Sequence, residues 1–152
     1  MKEILLSKNL NTFVDDKDFE WLSKYRWHAI KNGSGKWYAV RREKGRTIRM
    51  HNEILKTISG FEVDHKNGDG LDNRRDNLRS ATRSQNNGNS EIYKNNTSGF
   101  KGVYWYPKKR KWRVQIQING KRQSLGYFFD PVMASKIYNE KAKELFGEFA
   151  RG

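Results

Sequence analysis

From Lys111 to Ile118 the chain alternates without a break. Trp112, Val114, Ile116 and Ile118 are apolar, and Lys111, Arg113, Gln115 and Gln117 are polar. Side chains two residues apart share one face of a strand, so this stretch fits a strand with one buried face and one long-armed polar face. Pro107 precedes it and Asn119-Gly120, the strongest two-residue hairpin signal, follows it. Residues 102–106 and 122–127 read as its two neighbours. Asp130-Pro131 then supplies an N-cap and a favoured first helical residue. The helix is expected to run to about Phe146 and to stop at Gly147. Its Ala134, Ile137, Tyr138, Ala142 and Leu145 fall on one broad face. A three-stranded antiparallel sheet packed on one helix makes a small core of its own.

Composition says what surrounds such cores. The 152 residues hold 31 Lys and Arg against 17 Asp and Glu, a net charge of +14, and only 35% are apolar. Disordered chains are poor in aromatics. Here 13% of residues are aromatic, which predicts small real cores under a basic surface and a polyanionic partner. The charge is uneven. Residues 1–60 carry +6, residues 61–95 carry none in balance, and residues 96–152 carry +8. A neutral middle between two basic arms suits an enzyme acting on DNA, whose metal-holding carboxylates sit beside a surface that grips phosphates. There is no cysteine, which excludes disulfides, thiol nucleophiles and thiolate metal sites. The apolar run Ile4-Leu5-Leu6 is too short for a signal peptide and nothing approaches a membrane span, so a soluble intracellular protein with no membrane partner is expected.

Ahead of the C-terminal module, Asp15 to Lys24 reads as a short helix with aspartates capping its first turn. Residues 37–41 and 47–51 flank Lys44-Gly45 as a β-hairpin, residues 52–58 read as a short helix, and residues 61–65 as a short strand. Asn67-Gly68-Asp69-Gly70 is turn-rich. Residues 76–86 read as a helix entered through Asp76. The Asn-rich residues 87–98 read as a linker, and no internal repeat is present.

The chemistry concentrates in the middle. Asp64-His65 closes the short strand, with Asn77 and Asn86 following at intervals that a strand, a loop and a helix can bring together. A neutral imidazole can take a proton from water. A carboxylate and an amide oxygen are hard ligands suited to magnesium. Of the other histidines, His28 reads as structural. His51 reads as packing against the hairpin, with a catalytic or DNA role as the alternative. The Asn-Gly-Asp-Gly turn lacks the bidentate Glu of a calcium loop.

The run Val63-Asp64-His65-Lys66-Asn67-Gly68-Asp69-Gly70-Leu71-Asp72-Asn73-Arg74-Arg75-Asp76-Asn77-Leu78-Arg79, followed by Ser84-Gln85-Asn86-Asn87, resembles the HNH nuclease motif, most of all its homing-endonuclease branch. The resemblance implies a ββα-metal core around one divalent ion per site, Mg2+ or Mn2+. It implies Asp64 and Asn86 as ligands, His65 as general base, and Asn77 pinning the loop and orienting His65. The last motif position is Asn where many relatives have His.

Residues 99–150 resemble the Apetala/ethylene-response-factor DNA-binding domain through Gly102-Val103, Lys111-Trp112, Gln115-Ile116, Leu125-Gly126-Tyr127-Phe128, Ala134 and Tyr138. That family reads major-groove bases with its exposed sheet face. The resemblance implies DNA contacts at Lys101, Tyr104, Tyr106, Gln115, Gln117, Arg122 and Ser124, with Arg113 beside them in the alternating strand. Tyr104, Tyr106 and Gln117 depart from the Arg usual in that family.

The expected architecture is α+β: an N-terminal hairpin and helix region (1–60), an HNH core (61–90), a linker (91–98) and the sheet domain (99–152). The expected activity is phosphodiester hydrolysis by a metal-dependent homing-type endonuclease. It would bind double-stranded DNA as a monomer and nick one strand, in the cytoplasm of a phage-infected or bacterial cell. The alternative is a sequence-specific DNA-binding protein with an inactive core.

Overall fold

Four small sheets carry the fold, none wider than three strands among the described residues. The computed structural model describes residues 1–92 and 95–151. Tyr93 and Lys94, within the expected linker, and Gly152 lie outside the described residues. The chain divides into two units, residues 1–81 and 82–152. None of its helices is long and apolar enough to cross a membrane, among the described residues.

In the first unit β1 (Lys2–Leu5) and β2 (Asn11–Val14) pair antiparallel, and α1 (Asp16–Leu22) follows. Strands β3 (His28–Lys31), β4 (Trp37–Glu43) and β5 (Arg46–Arg49) form an antiparallel sheet in that order. Helix α2 (Met50–Ile54) leads to β6 (Phe61–His65), which pairs with β7 (Leu78–Thr82). Ile4, Val14, Leu22, Trp27, Ala39, Met50, Val63 and Leu78 belong to one buried cluster. The N-terminal strands therefore share a core with the strand that ends in His65.

Two local expectations change. Met50 and His51 open a helix instead of closing the hairpin. Residues 78–82 form a strand, and the helix begins only at Arg83. Thr82 is its true cap: the hydroxyl accepts from the Gln85 amide N–H while the Gln85 side chain accepts from the Thr82 N–H. That reciprocal capping box satisfies two backbone donors and outweighs Asp76 as a starting point.

The aspartates of α1 also do something other than cap it. Asp15 makes no side-chain cap bond and accepts from the Arg75 backbone N–H at 2.8 Å. Asp18, buried, takes two bonds from the Arg75 guanidinium at 2.7 and 2.8 Å and one from Trp21 Nε1 at 3.2 Å. The Arg75 hydrogen bonds hold the Asp18 carboxyl below its ordinary pKa. Helix α1 is thus bolted to the loop between β6 and β7. Gly70 lies on the same loop, and a Cβ there would collide with the Trp37 carbonyl oxygen and the Tyr38 ring, so the loop lies flat on β4.

In the second unit α3 (Arg83–Gly88) precedes β8 (Val103–Tyr106), β9 (Lys111–Ile118) and β10 (Lys121–Phe128), an antiparallel sheet with β9 in the middle. Helix α4 (Pro131–Phe146) packs on it, with Asp130 accepting from the Val132 and Met133 N–H groups. Val103, Val114 and Ile116 are buried with Ala134, Tyr138, Ala142 and Phe146. Gly102 has φ +71°, and a Cβ there would strike the Tyr138 ring and the Gln115 carbonyl oxygen, so only glycine lets sheet and helix close up.

Asp18→Ala is expected to destabilise the first unit by about 1–3 kcal/mol in urea unfolding. It removes charge-assisted bonds, but Arg75 is exposed enough to regain water.

Candidate active site

Strand β6 delivers Asp64 and His65 side by side, both buried. Asp64 Oδ2 accepts from Arg79 Nε at 2.8 Å, across the β6–β7 pair, and both side chains are at most one-tenth exposed. Opposite charges that meet in a dry site are worth more than on the surface, so Arg79 fixes the carboxylate's position.

His65 Nε2 lies 3.2 Å from Asn73 Oδ1. Asn73 is completely buried and donates through Nδ2 to Thr12 Oγ1 at 2.7 Å. The Thr12 hydroxyl donates to the Leu71 carbonyl oxygen at 2.6 Å. Strand β2 thus reaches into the site. It also bonds the loop backbone, with Phe13 N–H donating to Leu71 O and Asn73 N–H donating to Phe13 O at 2.9 and 2.8 Å.

Asn77, also buried, braces the same loop. Its Nδ2 donates to the Asp72 carbonyl at 2.7 Å and to Asn67 Oδ1 at 3.1 Å, and its Oδ1 accepts from the Asn67 N–H at 3.1 Å. Asn77 and Asn73 therefore divide two tasks between them, Asn77 holding the loop and Asn73 bonding the His65 ring. Arg74 grips Asp72 at 2.7 Å through both Nε and Nη2, which holds the Asp72 carboxyl below its ordinary pKa.

Around His65 the rings pack edge-on, His51 at 4.9 Å and Tyr38 at 6.0 Å between centroids. Burial pushes the His65 pKa below its ordinary value, so the imidazole is neutral at physiological pH and able to accept a proton. His51 is pushed to about 3, first by burial and then by the neighbouring His65 and Arg49. Its Nδ1 is buried with no hydrogen-bond partner.

Residues 58–88 match the family model described as HNH endonuclease. The chain is 32% identical over a 154-residue alignment to an uncharacterized HNH endonuclease of Acanthamoeba polyphaga mimivirus, covering 96% of this chain and 77% of that one. It belongs to the HNH endonuclease family. It is also 35% identical over 108 residues to Protein 3.8 of Escherichia phage T7, covering 68% of this chain and 88% of that protein. No solved structure is significantly similar.

In this HNH endonuclease the motif residues Asp64, His65 and Asn77 all lie in the first unit, and Asn86 lies half-buried on α3 in the second. Arg79 and Asn73 stand inside the motif run, but no spacing argument singled them out. Thr12 stands far outside it, and nothing in the sequence marks it.

The second unit presents a polar sheet face. Residues directly opposite in antiparallel strands share a face. The register sets Arg113 opposite both Tyr104 and Tyr127, Gln115 opposite Ser124, Gln117 opposite Arg122, and Tyr106 opposite Lys111. All turn away from buried Val114 and Ile116. The Arg113 guanidinium lies 5.9 Å from the ring centroids of Tyr106 and Tyr127, and Lys109 Nζ lies 4.0 Å from Tyr127. Lys101 instead sends its ammonium to the carbonyl oxygens of Gly88, Ser90 and Arg151, closing the segments around the end of α3.

His51 generates a pH prediction. Its folded pKa is depressed, so the unfolded chain binds the proton first. Stability is then complete above about pH 6.5 and falls as pH drops toward about 3. The loss is about 1.4 kcal/mol per pH unit at most. In urea unfolding between pH 7 and 4.5, His51→Phe should lose markedly less stability than the wild type.

Proposed function

We propose that this protein is a metal-dependent, homing-type HNH endonuclease that cuts one DNA strand as a monomer, with a ββα-metal core and an Apetala/ethylene-response-factor-type DNA reader. The observation that carries the catalytic half is the buried His65 held through Nε2 by Asn73, next in sequence to the fixed carboxylate of Asp64. The succession β6, β7, α3 supports the ββα reading.

The donors fit a hard divalent ion. Asp64 offers a buried carboxylate, and Asn86, carried over on motif spacing, an amide oxygen. Magnesium uses few protein ligands and keeps several waters. When bound, the ion would offset charge building on the phosphate.

The chain's own residues do the rest. His65 takes a proton from the attacking water as its oxygen bonds to phosphorus, and the bond to the leaving sugar oxygen breaks, that oxygen taking a proton from solvent water. Asn73 holds the ring, Arg79 holds Asp64, and Asn77 keeps the loop from sagging. Groups held by such bonds need no rearrangement during reaction.

The sheet face supports the binding half. Tyr104, Tyr106, Arg113, Gln115, Gln117, Arg122 and Ser124 face one way, and a β-ribbon or sheet of this kind fits the major groove. Gln115 and Gln117, with paired amide donor and acceptor, suit adenine edges. Lys109 and Arg113 suit phosphates. The carbonyl bonds of Lys101 weigh toward an anchoring part for that side chain.

Supercoiled plasmid incubated with the full-length protein and Mg2+ or Mn2+ should become open circular. Chelator should stop cutting and leave binding intact. His65→Ala should cut about 10²–10⁴-fold more slowly with unchanged DNA affinity. Nicking by His65→Ala at the wild-type rate would overturn the assignment. Gln115→Ala should relax base preference by ~1–3 kcal/mol at one position, read by competition between site variants.

A further inference from the structure

Thr12 lies 61 residues from Asn73 in the chain and outside the HNH motif, yet it is completely buried against that residue. The bonds among Leu71, Thr12, Asn73 and His65 form a continuous chain, and one of them settles the direction of all the others. The Thr12 Oγ1 and Leu71 carbonyl oxygens are 2.6 Å apart. Two oxygens meet at that distance only with a hydrogen between them, and a carbonyl has none. The single hydroxyl hydrogen of Thr12 is therefore spent on Leu71, whose other bond comes from the Phe13 N–H. Toward Asn73, Thr12 can only accept. Asn73 must then turn its NH2 to Thr12 and its carbonyl oxygen to His65. Facing an acceptor, His65 Nε2 must carry a ring hydrogen, and in the neutral ring Nδ1 then holds the lone pair.

We propose that Thr12 and Asn73 are positioning residues that set the tautomer of His65, a role that rests on the reading of His65 as the base. The N-terminal strand is thus part of the catalytic apparatus. The relay starts from a backbone carbonyl, which cannot change its part, and ends by assigning proton acceptance to one named nitrogen. Without the Thr12 hydroxyl, an unflipped Asn73 would bury an unpaired N–H. Flipped, it would bury an unpaired carbonyl oxygen, the better tolerated of the two by analogy with backbone groups, and its NH2 would meet His65 Nε2. The ring hydrogen would then move to Nδ1, removing the lone pair that accepts the proton.

The test uses the full-length protein labelled with 15N-histidine. The chain has three histidines, and the His65→Ala spectrum identifies the His65 signals. In the wild type near neutral pH, His65 should show a pyrrole-type Nε2 and a pyridine-type Nδ1. In Thr12→Val, nearly equal in size, the pattern should shift toward a protonated Nδ1. Its kcat should fall on the order of 10–100-fold, the range seen when outer partners that orient metal-ligating histidines are lost, with KM and DNA affinity unchanged. Thr12→Ser, which keeps the hydroxyl, should restore both pattern and rate.

A wild-type His65 protonated at Nδ1 overturns the relay, and this needs no variant to fold. So does a Thr12→Val protein that keeps the wild-type pattern, whatever its rate. A shifted pattern with wild-type kcat upholds the relay and overturns the reading of His65 as the base.

Discussion

The first unit depends on the docking of strand β2 against the loop between β6 and β7. Phe13 bonds that loop through both its backbone N–H and its carbonyl, in an isolated parallel bridge with Asp72. Thr12, one residue earlier, points the other way into the core and meets Asn73. The strand's alternation lets it bind the loop's backbone and its buried side chain at once. Polar groups this deeply buried cost stability unless paired. Every partner of Asn73 is therefore constrained, and the last of them is the His65 ring.

That constraint explains why the motif is surrounded by so many bonds. A loop rich in Asn, Asp and Gly has many conformations to lose. Asn77 braces it from within, Asp15 and Asp18 hold Arg75 from α1, and Gly70 lets it lie against β4. The neighbouring imidazoles have unlike surroundings. His51 has a buried, unpartnered Nδ1, whereas His65 is held by Asn73 and adjoins Asp64. Of the two, His65 is the one with a side-chain partner at a ring nitrogen.

How much was legible in the sequence follows from the range of each signal. Strands β8 to β10 and helix α4 were legible because their cues are local: strict alternation, Asn119-Gly120, Asp130-Pro131 and Gly147. Strand β7 was not, because its five residues become a strand by pairing with β6 beyond a long loop. The capping box at Thr82 and Gln85 was the local clue that the helix starts later. Strands β1 to β3 are four residues each with no unbroken polar–apolar alternation, and unlike β8, which has the same length, they do not adjoin a strictly alternating strand. Of the candidate site residues, motif spacing singled out Asp64, His65, Asn77 and Asn86, and the structure brings the first three into one unit. The bond from Asn73 to His65 was not legible, because its orientation is decided by Thr12, and nothing local to either residue announces the other.

With His65 as the base, the imidazole itself accepts the proton. Chemical rescue tests it most directly: His65→Ala is assayed for DNA cleavage under single-turnover conditions with increasing free imidazole. The variant should bind DNA, be nearly inert alone, and regain cleavage in proportion to imidazole while the wild type is unaffected. A His65→Ala protein that cleaves at the wild-type rate without imidazole would contradict His65 as the base.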